Sequence, residues 1–313
     1  MRVIRYLFLL ITFLLLFVIR VVRQSYAASN NAPKKITVVC TTSLIADAVQ
    51  QIAGDAITVH ALMGPGVDPH LYRMKEGDVH LLAAANLVLY NGLHLEGKIA
   101  DVLKQLPHAR VVAVAECLPT DALKLVGPCV YDPHVWHAVQ LWKQVIIRIA
   151  EVLSEQDSAH QEWYAQRVAA YAQRLDALDA WVHEQVAHIP ASQRILVTAH
   201  DAFSYFGAAY GMIVVGLQGI STDADIATKD VQALAEYVVT HKIKAIFVES
   251  SIAPRTLEAV QYAVTARGWS VTFGGTLYSD ALGDAQSGAA TYEAMIRHNV
   301  NTMVSALAPE VRL

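Results

Sequence analysis

The chain has 313 residues, enough for one large domain or for two lobes with separate cores. Its 24 basic and 28 acidic side chains give a net charge of −4. That balance argues against nucleic acid as a partner and mildly favours a cationic ligand.

The N-terminus reads as a targeting segment over residues 1–27. Arg2 and Arg5 precede an apolar run from Leu7 to Ile19, broken only by Thr12, and Ser25-Tyr26-Ala27 supplies a small-x-small cleavage site. The run is shorter than the ~20 residues that comfortably span a bilayer, which favours a removed signal peptide over an uncleaved anchor. The segment's only charges are four arginines, so its removal would take the net charge from −4 to −8. No cysteine follows the run closely, which argues against a lipid-modified N-terminus; Cys40 falls inside a predicted strand. Cys117 and Cys129 could pair in an oxidising compartment or stay as free thiols.

Downstream, short β-branched runs alternate with helical patterns. Strands are predicted at 36–40, 57–62, 87–90 and 111–114 in the first half. In the second they are predicted at 195–199, 213–217, 245–249 and 270–273. Helices between them imply parallel sheets covered on both faces. The strongest helical signal spans 158–188: Ser158 and Gln161 fit a capping box, and Pro190 ends the helix. Tyr164, Val168, Tyr171, Leu175, Leu178 and Val182 form one apolar stripe along it. The expected fold class is therefore α/β, with two lobes, each a four-stranded mostly parallel sheet flanked by helices, joined by one long helix. The expected boundaries are 28–156 for the first lobe, 157–189 for the linking helix and 190–313 for the second lobe.

Four turn-like segments each offer one good metal ligand: His70, His134, His200 and Asp280. Three imidazoles and a carboxylate suit a divalent transition metal. His200 directly follows a predicted strand, His70 follows one through Gly64-Pro65-Gly66, and Asp280 follows one through Gly274-Gly275. Ligands of open α/β sheets gather at such strand ends. His134 follows an irregular stretch containing Gly127 and Pro128, so its placement is less fixed. His70 and His134 both stand after Asp-Pro, which biases the backbone to a turn. His137, one turn from His134, reads as a bystander, and Asp284 as a turn residue rather than a rival to Asp280.

Glu249 ends a predicted strand and could hold a ligand imidazole from behind. Asp132 and Asp201 are weaker candidates for that role, and a backbone-paired buried Glu249 is an equal reading. Tyr72, Trp136, Phe203 and Tyr205 either exclude water or simply belong to the core. His94 has no evident partner. The remaining histidines read as surface or satisfied core residues. Gly92 to Lys98 imitates a phosphate-binding loop but continues with Ile99 where Ser or Thr should hold Mg²⁺. His183 and His188 are spaced one residue too far for a zinc-protease helix, and no Gly-x-Ser-x-Gly elbow occurs.

Five ordered stretches resemble the metal-binding solute-binding proteins of bacterial ABC importers, the zinc and manganese family 9, in its TroA-like branch. They are residues 64–72, 90–96, 132–136, 197–203 and 279–281. The resemblance implies two α/β lobes joined by a long helix, a metal in the cleft, and ligands at His70, His134, His200 and Asp280. It implies no enzymatic activity and an extracytoplasmic or periplasmic monomer that serves a membrane permease with its cytoplasmic ATPase. Membrane contact would come through that permease or an uncleaved anchor. Zinc-specific members often carry a His- and acid-rich loop that residues 122–131 lack. Manganese-specific members usually have Glu where this chain has His200. Zn²⁺ is favoured, while a bidentate Asp280 would open the site to Mn²⁺ or Fe²⁺. The rival readings are an extracytoplasmic zinc metallohydrolase, with Glu249 as the only candidate base, and a surface adhesin.

Overall fold

The computed structural model describes Arg20 and residues 35–308. The predicted leader at 1–27, Arg20 apart, lies outside the described residues. Among those described, no helix is long and apolar enough to cross a membrane.

The first half builds β1 (Thr37–Cys40), α1 (Ser43–Ala53), β2 (Thr58–Ala61), α2 (Glu76–Ala84), β3 (Leu87–Tyr90), α3 (Ala100–Lys104) and β4 (Arg110–Ala113). All four strands are parallel, in the order β2-β1-β3-β4. β3 is buried throughout, as its continuous Leu-Val-Leu-Tyr run requires of an inner parallel strand. Thr42 caps α1 by accepting the Ile45 N–H at 3.3 Å, and Leu44, Ile45, Ala48, Val49 and Ile52 face inward.

The stretch around Gly127 and Pro128 is short and has a register shift between Leu125 and Gly127, yet it is paired. It forms an antiparallel hairpin of β5 (Leu125–Gly127) and β6 (Val130–Tyr131), turned by Cys129 in the left-handed region at φ 58°. Cys40, Cys117 and Cys129 are all free thiols, and the last two are exposed.

Helix α4 (Val139–Gln156) leads into the long helix α5 (Gln161–Ala187), which extends roughly 40 Å at about 1.5 Å per residue. The expected capping box at Ser158 does not form. Residues 158–160 make a 3-10 turn instead, because the Asp157 carboxylate takes up the His160 imidazole and the Tyr164 hydroxyl, both at 2.7 Å. The predicted stripe is buried at Tyr164, Tyr171, Leu175, Leu178 and Val182, with Val168 partly covered. It packs into one apolar cluster that also takes residues from α1, α4 and the C-terminal helix, so this core is continuous through both halves.

The second half builds β7 (Ile195–His200), α6 (Ser204–Tyr210), β8 (Ile213–Gln218), α7 (Thr228–Thr240), β9 (Ala245–Glu249), α8 (Arg255–Thr265), β10 (Thr272–Leu277) and α9 (Tyr292–Leu307). Its four strands are parallel and form two hydrogen-bonded pairs, β7 with β8 and β9 with β10, with β7 packed beside β9. Gly274 and Gly275 lie inside β10 rather than after it, where they bulge the strand. A Cβ on Gly274 would come within 2.6 Å of the Phe247 ring, so this close approach demands glycine.

Candidate metal centre

The two Asp-Pro-His segments fold alike. After β2 the chain turns at Gly66 (φ 69°), and Asp68 Oδ1 accepts the His70 N–H at 2.8 Å. After β6, Asp132 Oδ1 accepts the His134 N–H at 3.0 Å. These are Asx turns, in which a short acid side chain stands in for a backbone acceptor and fixes the residue two places on. His200 is the last residue of β7, and Asp280 follows the end of β10.

The four predicted ligands meet, with one ligand atom from each lying within 4.8 Å of all the others. His70 Nε2 and His134 Nε2 are 3.2 Å apart. His134 Nε2 and His200 Nε2 each stand 3.5 Å from Asp280 Oδ1. A tetrahedral ion with bonds of about 2.0–2.1 Å has ligand-to-ligand edges of about 3.3 Å, so these distances fit one shell. His134 and His200 are fully buried, Asp280 is 1% exposed and His70 is 5% exposed. His200 Nε2 and Asp280 Oδ1 are buried with no hydrogen-bond partner among the described residues. Such atoms are costly unless a cation satisfies them.

Supporting groups orient the donors. His134 Nδ1 lies 2.7 Å from Asp132 Oδ1 and His200 Nδ1 lies 2.6 Å from Glu249 Oε2. The latter pair is close, though its angle is not that of a straight hydrogen bond. A proton held on each Nδ1 leaves each Nε2 lone pair facing the shared point. Glu249 Oε1 also accepts the His200 N–H at 2.9 Å. Asp280 Oδ2 accepts from the Ser251 hydroxyl at 3.0 Å and, more weakly, from Ser279 at 3.3 Å, which leaves Oδ1 facing the imidazoles.

The electrostatics are uneven. Burial pushes the His70 imidazole down to about 3, so it stays neutral. Burial alone would also lower His200, but the Glu249 and Asp280 carboxylates override it and hold this imidazole well above its ordinary value. Burial would raise Asp280, yet His200 foremost, with His134 and His70, holds its carboxyl well below the usual range.

The sequence candidates sort clearly. Glu249 lies against the His200 imidazole and Asp132 against that of His134. The Asp201 carboxylate has one buried oxygen without a hydrogen-bond partner among the described residues. Asp284 Oδ1 accepts the Gln286 and Ser287 N–H groups and shapes a turn. His137 Nε2 sits 3.0 Å from the Ser279 carbonyl. Trp136 packs edge-on to His134, with ring centroids 5.2 Å apart. Ser251, Ser279 and Thr222, whose hydroxyl donates to Asp68 Oδ2 at 2.6 Å, were not legible in advance. A lone serine or threonine carries no spacing signal.

Opposite Thr198, near the end of β7, β8 requires glycine at 216. A Cβ there would lie 2.5 Å from the Asp201 nitrogen and 2.7 Å from the His200 carbonyl carbon. Gly216→Ala should therefore spread β7 from β8 and destabilise the fold by about 1–3 kcal/mol. Urea denaturation would check this, and unchanged stability would show that the strands yield without cost.

The family model described as "Zinc-uptake complex component A periplasmic" (ZnuA) matches residues 38–306. The manganese-binding lipoprotein MntA of Bacillus subtilis is 44% identical over 283 residues, covering 90% of this chain and 92% of that protein. The zinc-binding protein TroA of Treponema pallidum is 47% identical over 283 residues, covering 90% and 91%. The solved structure of the Treponema pallidum periplasmic zinc-binding protein TroA superposes with a TM-score of 0.86 over 88% of this chain and 99% of that one. Matched along nearly all its described length in sequence and in fold, this chain belongs to the ZnuA family of zinc-uptake complex components.

Proposed function

We propose that this protein captures one divalent transition metal ion outside the cytoplasm and hands it to a membrane permease driven by a cytoplasmic ATPase. The ligands are His70, His134, His200 and Asp280, and the preferred ion is Zn²⁺. The observation that carries this reading is the convergence of four buried donor atoms, two of them otherwise unpartnered. Zinc is favoured because three imidazoles and one available carboxylate oxygen suit it, whereas Mn²⁺ prefers more oxygen donors. The boundaries that go with this function are 28–156 and 190–313 for the two lobes and 157–189 for the link. Residues 1–27 direct export, and the protein acts as a monomer.

A metallohydrolase would need an open coordination position and a free base. Glu249, the candidate base, is committed to the backbone and ring of His200.

The test is to load the protein with equal Zn²⁺ and Mn²⁺ and measure bound metal by mass spectrometry. One equivalent of zinc is expected. At a free concentration a hundredfold above Kd, zinc should also stabilise the fold by about 2.7 kcal/mol. Preferential retention of manganese would overturn the choice of metal, and retention of neither would overturn the function.

A further inference from the structure

The segment that carries His134 is stitched to the second half of the chain by bonds that do not involve any ion. Lys124 donates its backbone N–H to the Tyr205 hydroxyl at 3.0 Å, and its ammonium reaches the Ser204 carbonyl at 2.6 Å. The Tyr205 hydroxyl donates in turn to the Asp132 carbonyl at 2.9 Å. Tyr292 donates to the Trp136 carbonyl at 2.8 Å, and the Tyr210 hydroxyl accepts the Val139 N–H at 3.2 Å. At the centre, two side chains from this segment converge on one acceptor: Trp136 Nε1 donates to the Ser279 carbonyl at 2.7 Å and His137 Nε2 approaches it at 3.0 Å. Ser279 immediately precedes Asp280.

His137 is fully buried against Phe203, with ring centroids 4.2 Å apart, and its Nδ1 has no hydrogen-bond partner among the described residues. Trp136 Nε1 also lies 3.1 Å from His137 Nε2, but its shorter contact, at 2.7 Å, is to the Ser279 carbonyl; with the Trp136 proton there, the His137 proton is placed on Nε2, where the same carbonyl accepts it. The loop that carries His70 is tied across by far less: Asp68 accepts from Thr222 at 2.6 Å, and the exposed ion pair of Lys98 with Asp223, at 2.8 Å, lies at the rim.

We infer that Trp136 and His137 are positioning residues for metal capture. By fixing the Ser279 carbonyl to the His134 segment, they hold the Asp280 carboxylate against His134 and His200, so three of the four donors stand as one block and His70 joins them separately. Peptide planarity links the Ser279 carbonyl to the Asp280 nitrogen, so two donors on that carbonyl restrict how the Asp280 side chain leaves its backbone. This inference rests on the proposed function and goes beyond it, because neither residue is a ligand.

The experiment measures Zn²⁺ affinity by calorimetry for the double variant Trp136→Phe/His137→Phe, which keeps an aromatic ring at each position but removes both donors. Groups that orient metal ligands typically contribute 10- to 100-fold in affinity, and a loss of about that size is expected. His137→Gln, whose amide nitrogen can reach the same carbonyl, should stay within about threefold of wild type. To separate positioning from a general structural role, the double variant is repeated in Asp280→Ala and His70→Ala backgrounds. The loss should vanish without Asp280 and persist without His70, since coupled residues are non-additive and independent ones add. Wild-type affinity in the double variant, or an equal loss in both backgrounds, would overturn the inference. Failure of the wild-type protein to bind Zn²⁺, Mn²⁺ or Co²⁺ would instead overturn the function on which it rests.

Discussion

Asp280→Ala should weaken zinc binding by about 100- to 1,000-fold. Four-ligand zinc sites are worth about 10–16 kcal/mol in apparent binding free energy, so one donor in four carries about 2.5–4 kcal/mol, and each 1.4 kcal/mol is a factor of ten. Asp280 should lie at the upper end because it supplies the only negative charge among the four donors, whereas any single histidine removed leaves two neutral imidazoles and that charge. The same substitution has a second consequence in the metal-free protein. Asp280 Oδ1 stands 3.5 Å from both His134 Nε2 and His200 Nε2, so its removal takes away the counter-charge that the protonated His200 faces. Calorimetric titration of the variant with Zn²⁺ checks the first claim. An affinity within threefold of wild type would remove Asp280 from the shell.

Zinc affinity should fall about tenfold for each unit of pH lost through the neutral range, and His200 should be the cause. Metal needs the Nε2 lone pair, and the Glu249 and Asp280 carboxylates hold His200 protonated well above the ordinary imidazole value against the opposing effect of burial. Metal must displace that proton at every pH below the raised value. His70, pushed down to about 3 mainly by burial, has none to lose.

For the metal-free fold the signs run differently. The raised His200 contributes stability that is fully present below the unfolded value of about 6.5 and lost as pH rises through its folded value. Depressed Asp280 contributes stability present above the unfolded value of about 3.9 and lost as pH falls through its own folded value. Rising pH therefore strengthens metal capture while removing the His200 support of the empty fold. Competition titrations from about pH 5.5 to about pH 8 give the slope, and calorimetry in buffers of different protonation enthalpy counts the released proton. Glu249→Gln should flatten the slope. A flat profile in the wild-type protein would contradict the assignment of the proton to His200.

The four residues that converge were legible because most of their signals are local. Asp-Pro-His occurs twice, and in both places the acid side chain bonds the histidine N–H two residues on. His200 could be placed from a strand end, whereas Asp280 was placed after a strand end at 273 and the strand in fact runs on to Leu277. Most of the parallel strands were equally open to reading to within a residue or so, but the last runs from Thr272 to Leu277 rather than over 270–273.

What sequence reasoning missed depends on distant partners. Ser158 and Gln161 have the spacing of a capping box, but Asp157 competes successfully for the start of α5. Gly274 and Gly275 look like a turn, yet they are strand residues because the Phe247 ring and Thr302 approach too closely for a Cβ. No spacing rule announces that Trp136 and His137 reach a carbonyl more than 140 residues away, or that Ser251 occupies one oxygen of Asp280. The second-half strands pair as two ladders rather than as the expected four-stranded sheet, with β7 beside β9.

X-ray absorption at the zinc edge, on protein loaded with one equivalent, tests the proposed metal shell most directly. Three imidazole nitrogens and one carboxylate oxygen at about 2.0–2.2 Å are expected, with the outer-shell scattering that imidazole rings produce. A sulfur neighbour near 2.3 Å, or a shell of oxygens without imidazole scattering, would contradict a site built from His70, His134, His200 and Asp280.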